Sequence, residues 1–198
     1  MFRDSGKLII VDIESTCWES ETPPEGEVKE IIQIGWCLLD TTTLDRSDKG
    51  QIMVRPVRSN ISEYCTALTG ITPKMSRQGL PFDAACKNMM RRAATRRRAW
   101  SSWGVGDRLS FERDCAASGA EMPFCQTHID IQAILSIFLG YPVRTGQSAA
   151  LKALGLNEDG VAHRADDDAW NGAGVMAEII RRSRNTPQGA ICPENKTR

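Results

Sequence analysis

Neither sign of charge is in excess in this 198-residue chain, because 25 Lys+Arg stand against 25 Asp+Glu. That balance excludes a uniform electrostatic pull toward polyanions, so nucleic acid would have to be met by a local basic patch. Histidine is scarce: His128 and His163 are the whole complement. No apolar run approaches the roughly 20 residues that a membrane span needs. A basic leader with an apolar core is also missing at the N-terminus. The expectation is a soluble, cytoplasmic protein with no membrane partner. Seven cysteines (Cys17, Cys37, Cys65, Cys86, Cys115, Cys125, Cys192) form no Cys-x-x-Cys pair and are odd in number. This speaks against a disulfide framework and a zinc knuckle, and fits a reducing compartment. Internal repeats and low-complexity segments are absent too.

What is present suits one globular domain with its own core, expected over residues 1–184, followed by a flexible polar tail at 185–198. Period-two and apolar patterns predict strands over Lys7 to Ile13, Glu30 to Leu39 and Gly50 to Arg55, arranged as an antiparallel meander. Helices are expected at Ser62 to Leu68 and Phe82 to Arg98, then a strand at Ala99 to Trp103 and a helix at Leu109 to Ser118 closed by Gly119. A short strand at Ile129 to Ile131, a helix at Gln132 to Leu139 and a long helix from about Arg164 to Arg184 complete the pattern. The class is α/β.

Two carboxylates interrupt the first strand, in the run Leu8-Ile9-Ile10-Val11-Asp12-Ile13-Glu14. Strand geometry sends Asp12 and Glu14 to the same face. Like charges side by side on a core strand cost free energy unless a cation neutralises them, which points to a divalent metal; a strand end reaching solvent is the plain alternative. Asp107 stands between a strand and a helix, where an N-cap competes with a ligand role. Asp168 lies on the apolar stripe of the last helix, while Asp166 and Asp167 read as first-turn acids favoured by the helix dipole. His163 opens the same helix, in Ala162-His163-Arg164-Ala165-Asp166-Asp167-Asp168. The densest basic run, Arg91, Arg92, Arg96, Arg97 and Arg98, is either a solvated face or a means of steering a phosphate backbone.

Four acids and a histidine in this order resemble the DEDDh (DnaQ-like) 3′–5′ exonuclease superfamily. Asp12 and Glu14 match its first motif, Asp107 its second, and His163 with Asp168 its third. Further likeness lies in Glu30-Ile31-Ile32-Gln33-Ile34-Gly35, Leu68-Thr69-Gly70-Ile71-Thr72, and Trp103-Gly104 with Phe111 four residues after Asp107. Asp12-Ile13-Glu14-Ser15-Thr16-Cys17-Trp18 and Ala162-His163-Arg164-Ala165 look most like the Eri-type and KapD-like exoribonuclease branch. There are two departures: Val105-Gly106 before Asp107, where relatives are richer in acidic and aromatic residues, and Trp170, where relatives often carry Arg.

The resemblance implies an RNase H-like fold, a five-stranded mixed sheet flanked by helices. It also implies a metal-dependent 3′-to-5′ exonuclease acting on single-stranded nucleic acid, RNA before DNA, with two Mg²⁺ or Mn²⁺ ions per site. On that pattern Asp12 bridges both ions, Glu14 and Asp168 complete one site, Asp107 supports the second, and His163 is the general base. Ser15, Thr16, Trp18, Leu68, Thr69 and Gly70 are the implied substrate contacts. A regulatory nucleic-acid-binding module that kept the fold without turnover is the alternative, and no protein partner is indicated.

Overall fold

Strand β1 (Lys7–Ser15) is the middle of the sheet and the reason the acids lie where they do. In the computed structural model, which describes residues 6–185 apart from 21, 141 and 143–145, five strands run in the order β3-β2-β1-β4-β5. Strands β2 (Ile31–Asp40) and β3 (Arg46–Met53) continue β1 as the expected antiparallel meander. Strands β4 (Trp100–Ser102) and β5 (His128–Asp130) add on parallel. The mixed five-stranded sheet implied by the resemblance is therefore present.

Alternation along β1 divides the core between the two faces of the sheet. Ile9 and Val11 pack with helices α3 (Phe82–Arg92) and α4 (Gly106–Ser118) through Phe82, Met89 and Phe111. Leu8 and Ile10 pack with α5 (Ile131–Leu139), α6 (Gln147–Leu154) and α7 (Ala165–Asn185). Asp12 and Glu14 continue the Leu8 and Ile10 series and so point to the α7 side. The remaining helices are α1 (Glu63–Thr69) and α2 (Pro73–Arg77); α1 lies at the C-terminal end of β1, its Cys65 thiol donating to the Ser15 carbonyl, and Cys65 and Ile71 pack with Ile32 and Ile61.

Three differences from the sequence pattern have local causes. The third strand begins at Arg46 rather than Gly50, because its first half is a polar edge and has no apolar alternation to read. Gly50 is required there: a Cβ would fall 2.4 Å from the buried Trp36 ring. The helix expected from Phe82 to Arg98 stops at Arg92. Ala94 turns left-handed with φ 49°, and a short 3₁₀ turn, Thr95–Arg97, follows. Buried Thr95 draws the chain inward by donating to the Pro123 carbonyl. Helices α2 and α6 were not anticipated; each is a turn or two long and offers little periodicity.

Of the proposed tail, Asn185 is the last residue of α7, and 186–198 lie outside the described residues. Among the described residues no helix is long and apolar enough to cross a membrane. Six cysteines, Cys17, Cys37, Cys65, Cys86, Cys115 and Cys125, are free thiols.

Candidate active site

The position of α7 against β2 is set by a glycine. Gly35 pairs with Asp12 across the strands, and a Cβ on it would lie 2.0 Å from the Ala165 carbonyl carbon and 2.2 Å from the Asp166 nitrogen. The helix can thus begin directly on the sheet beside Asp12. Gln33, opposite Glu14, satisfies one of the helix's orphan donors by accepting from the Ala165 N–H at 3.0 Å. These contacts deliver Asp168 to the strand acids: carboxylate oxygens of Asp12, Glu14 and Asp168 all lie within 4.8 Å of one another.

Asp107 reaches the cluster from the opposite layer. It sits in the first turn of α4 and is not its N-cap; Val105 takes that position and offers no side-chain cap. Because β4 pairs with β1 only as far as Ile10, the β1 edge beyond it is open. The Asp107 carboxylate fills that gap, taking hydrogen bonds from Ser102, its own N–H and the Ile13 N–H. Behind it, the Ser102 hydroxyl lies 2.9 Å from His128 Nε2, and His128 rests on the Trp100 ring. Ser102 and His128 are supports that no sequence motif marked. The available signal was a polar Ser at the C-terminal end of an interior strand.

Burial, joined at Asp12 and Glu14 by repulsion from the other acids, raises the proton affinities of all four. Burial, followed by repulsion from Asp107, Asp168 and Glu14, holds the Asp12 carboxyl well above the ordinary range. Burial and the Asp168 and Asp107 charges push Glu14 up to about 8. Asp107 rises to about 7, mainly through burial and against the pull of its hydrogen bonds. Asp168 rises to about 6, again by burial, with His163 opposing. Such a set stores repulsion that a divalent cation relieves, and all-oxygen donors suit Mg²⁺ or Mn²⁺. The residues fit the metal the sequence called for.

His163 enters from the loop before α7 in a left-handed conformation, φ 62°. Its backbone hydrogen-bonds the Asp168 carboxylate, and its side chain is exposed. Together with Asp12, Glu14, Trp103, Gln147 and Asp168 it lines a cleft of about 390 Å³. Gln147 and Ser148 come from α6 and were missed with that helix.

The expected substrate contacts fall into two groups. Thr16 is fully buried, donating to the Val28 carbonyl and accepting from the Glu30 N–H. Thr69 is also buried, bonded to the Cys65 carbonyl and the Ile71 N–H. Both hydroxyls are spent on holding the chain. Ser15 and Trp18 are half-buried, Leu68 and Gly70 exposed; Trp18 is oriented by an Nε1 bond to Glu27, and Gly70 closes α1 with φ 72°. No arginine of the 91–98 run lines the cleft. Arg92 stacks on Trp36, Arg96 pairs with Glu121, and Arg98 donates to the Ala93 carbonyl.

An RNase H-like sheet with acids from β1, α4 and α7 and a histidine beside the last of them defines a 3′–5′ exonuclease of the DEDDh type. Residues 9–176 match the RNase T family, described as Exonuclease, and the chain belongs to that family. Among similar proteins are the 3′–5′ exonuclease Snipper of Drosophila melanogaster, 30% identical over 88% of this chain and 69% of its own length, and the human 3′–5′ exoribonuclease 1, 30% identical over 88% of this chain. This chain spans only 52% of the human protein. The solved nuclease domain of 3′hExo, a DEDDh family member bound to rAMP, superposes with a TM-score of 0.80 at 29% identity, covering 89% of this chain and 92% of that one.

Proposed function

We propose that this chain removes nucleotides stepwise from the 3′ end of single-stranded nucleic acid, RNA in preference to DNA, using two Mg²⁺ or Mn²⁺ ions and His163 as general base. The observation that carries the reading is the convergence of Asp12, Glu14 and Asp168 within 4.8 Å in a cleft that His163 also lines. Asp12 would touch both ions, with Glu14 and Asp168 on one side and Asp107 on the other. Cations held there neutralise charge developing on the scissile phosphate and ease ionisation of the attacking water. His163 accepts that water's proton on its imidazole, and its loop position lets it close on bound substrate.

Ser15, Trp18, Leu68 and Gly70 would form the rim against which the terminal nucleotide rests, with Thr16 and Thr69 shaping it from beneath. Trp18 offers a face for base stacking. The preference for RNA is supported by the relatives named exoribonucleases and by the rAMP complex. The free thiols support a reducing, cytoplasmic setting.

The test is digestion of matched labelled RNA and DNA oligonucleotides, with free and blocked 3′ ends, in Mg²⁺ or Mn²⁺. Release of mononucleotides from free 3′ ends, faster from RNA, is expected. Absence of release with every substrate and both metals would leave the non-catalytic binding module as the reading.

A further inference from the structure

The segment carrying His163, residues 155–164 between α6 and α7, belongs to no ladder, yet side chains of α7's first turns hold it at two points. At the first point, Asn171 Oδ1 accepts from the Asp159 N–H at 2.9 Å and its Nδ2 donates to the Asp159 carbonyl at 3.0 Å. Trp170 Nε1 donates to the Asp159 carboxylate at 3.2 Å. Arg46 of β3, stacked on the Trp170 ring at 4.4 Å, donates to that carboxylate at 3.3 Å and to the Trp170 carbonyl at 3.0 Å. The Trp170 indole and a guanidinium brought across from β3 thus hold the same carboxylate.

The second point is Asp167. Its carboxylate accepts from the Val161 N–H at 3.0 Å, pairs with Lys49 and lies 3.9 Å from Arg164 Nε. It occupies the space beside Gly160, where a Cβ would meet its Cγ at 2.3 Å. Unlike its neighbours Asp166 and Asp168, Asp167 is buried. Two residues after Val161, the His163 backbone bonds Asp168. The short path from Val161 to His163 is therefore pinned at both ends to consecutive residues of one helical turn. A solvated helix-dipole acid needs neither the burial nor the Lys49 partner.

We propose that Asp167, braced by Lys49, is a positioning residue for His163: by holding the Val161 N–H against Gly160 it fixes the left-handed turn that presents the imidazole to the cleft. This rests on the reading of His163 as the base. Misplacing a reacting group by about 1 Å costs on the order of 10²-fold, and that is the fall in kcat expected for Asp167→Ala, with KM changed less than about 2-fold. Asp167→Asn, which retains one acceptor for Val161, should lose less. Gly160→Ala, whose added methyl displaces the loop from outside the cleft, should reproduce the Asp167→Ala defect.

Two measurements decide the matter. In a double-mutant cycle, Asp167→Ala is expected to add no further loss to His163→Ala, while Mn²⁺ still raises the Tm of both single variants. Independent multiplicative losses, or loss of the Mn²⁺ response in Asp167→Ala, would overturn the proposal. Imidazole ¹H–¹³C NMR reads it without turnover: with two histidines, the His163 signal should shift and sharpen in Asp167→Ala or Gly160→Ala while the His128 signal stays. An unchanged His163 signal in a folded variant overturns the positioning role. Failure of the wild-type chain to release nucleotides overturns the exonuclease reading instead, and the NMR result still decides whether Asp167 holds the imidazole.

Discussion

Asp12 and His163 face the same cleft and are held by opposite means. Asp12 is set by a strand paired with β2 along its whole length and with β4 as far as Ile10, its register to Gly35 enforced along the length of β1. His163 is set by a loop whose anchors are side chains of α7 and β3. Ladder hydrogen bonds are redundant, so no single contact decides where Asp12 points, whereas one lost anchor changes the path of a loop. The charge-bearing part of the site is consequently built before substrate arrives, and the part that carries His163, the proposed base, is the adjustable one.

The comparison breaks first at the strand. Asp12→Ala removes the acid central to the cluster and is expected to abolish Mn²⁺ binding by calorimetry and to lower cleavage by more than about 10³-fold, since the metal supplies several kcal/mol of transition-state stabilisation. The fold should persist, because the deletion also removes the repulsion of Asp12 by Asp107, Asp168 and Glu14. Retained metal affinity in that variant would remove Asp12 from the ligand set.

On the loop side, His163→Ala should lower turnover by about 10²–10⁴-fold, the range of a positioned general base, with Mn²⁺ affinity unchanged. The two substitutions then separate by metal binding: the strand variant loses it and the loop variant keeps it. Near-normal turnover in His163→Ala would assign the proton transfer elsewhere.

How much of this was legible in the sequence follows the same division. β1 and its acids could be read because an apolar run with two carboxylates at period two has one simple structural reading, and the burial pattern then follows from alternation. The β3 edge and α6 could not, because Arg46 to Gly50 and Gln147 to Leu154 are too polar or too short to carry a period. Asp107 was found through its motif, but its support by Ser102, His128 and the open β1 edge depends on where β4 stops. Asp167 looked like a helix-dipole acid since its partners, Lys49 and Val161, lie far off in the chain or in an irregular loop. Short-range pattern reveals groups on ladders and a motif names a loop residue such as His163, but the scattered side chains that hold that loop appear only in three dimensions.

The smallest expected effect sharpens the contrast through pH. In the metal-free protein Asp168, Asp107 and Glu14 bind protons up to about 6, 7 and 8, while the unfolded chain releases them near 3.8 to 4.5. Between those limits the folded state holds more protons than the unfolded one. Stability from these groups is thus full below about pH 4 and lost as pH rises toward about 8. Mn²⁺ replaces the protons, so its stabilising effect should grow over the same window. One pKa unit corresponds to about 1.4 kcal/mol, and the Mn²⁺-induced rise in Tm is expected to be at least about 5 °C larger near pH 8 than near pH 5. His163→Ala should leave that difference intact, whereas Glu14→Gln should diminish it. An equal Mn²⁺ effect at both pH values would show that the strand acids are not the proton-coupled metal site.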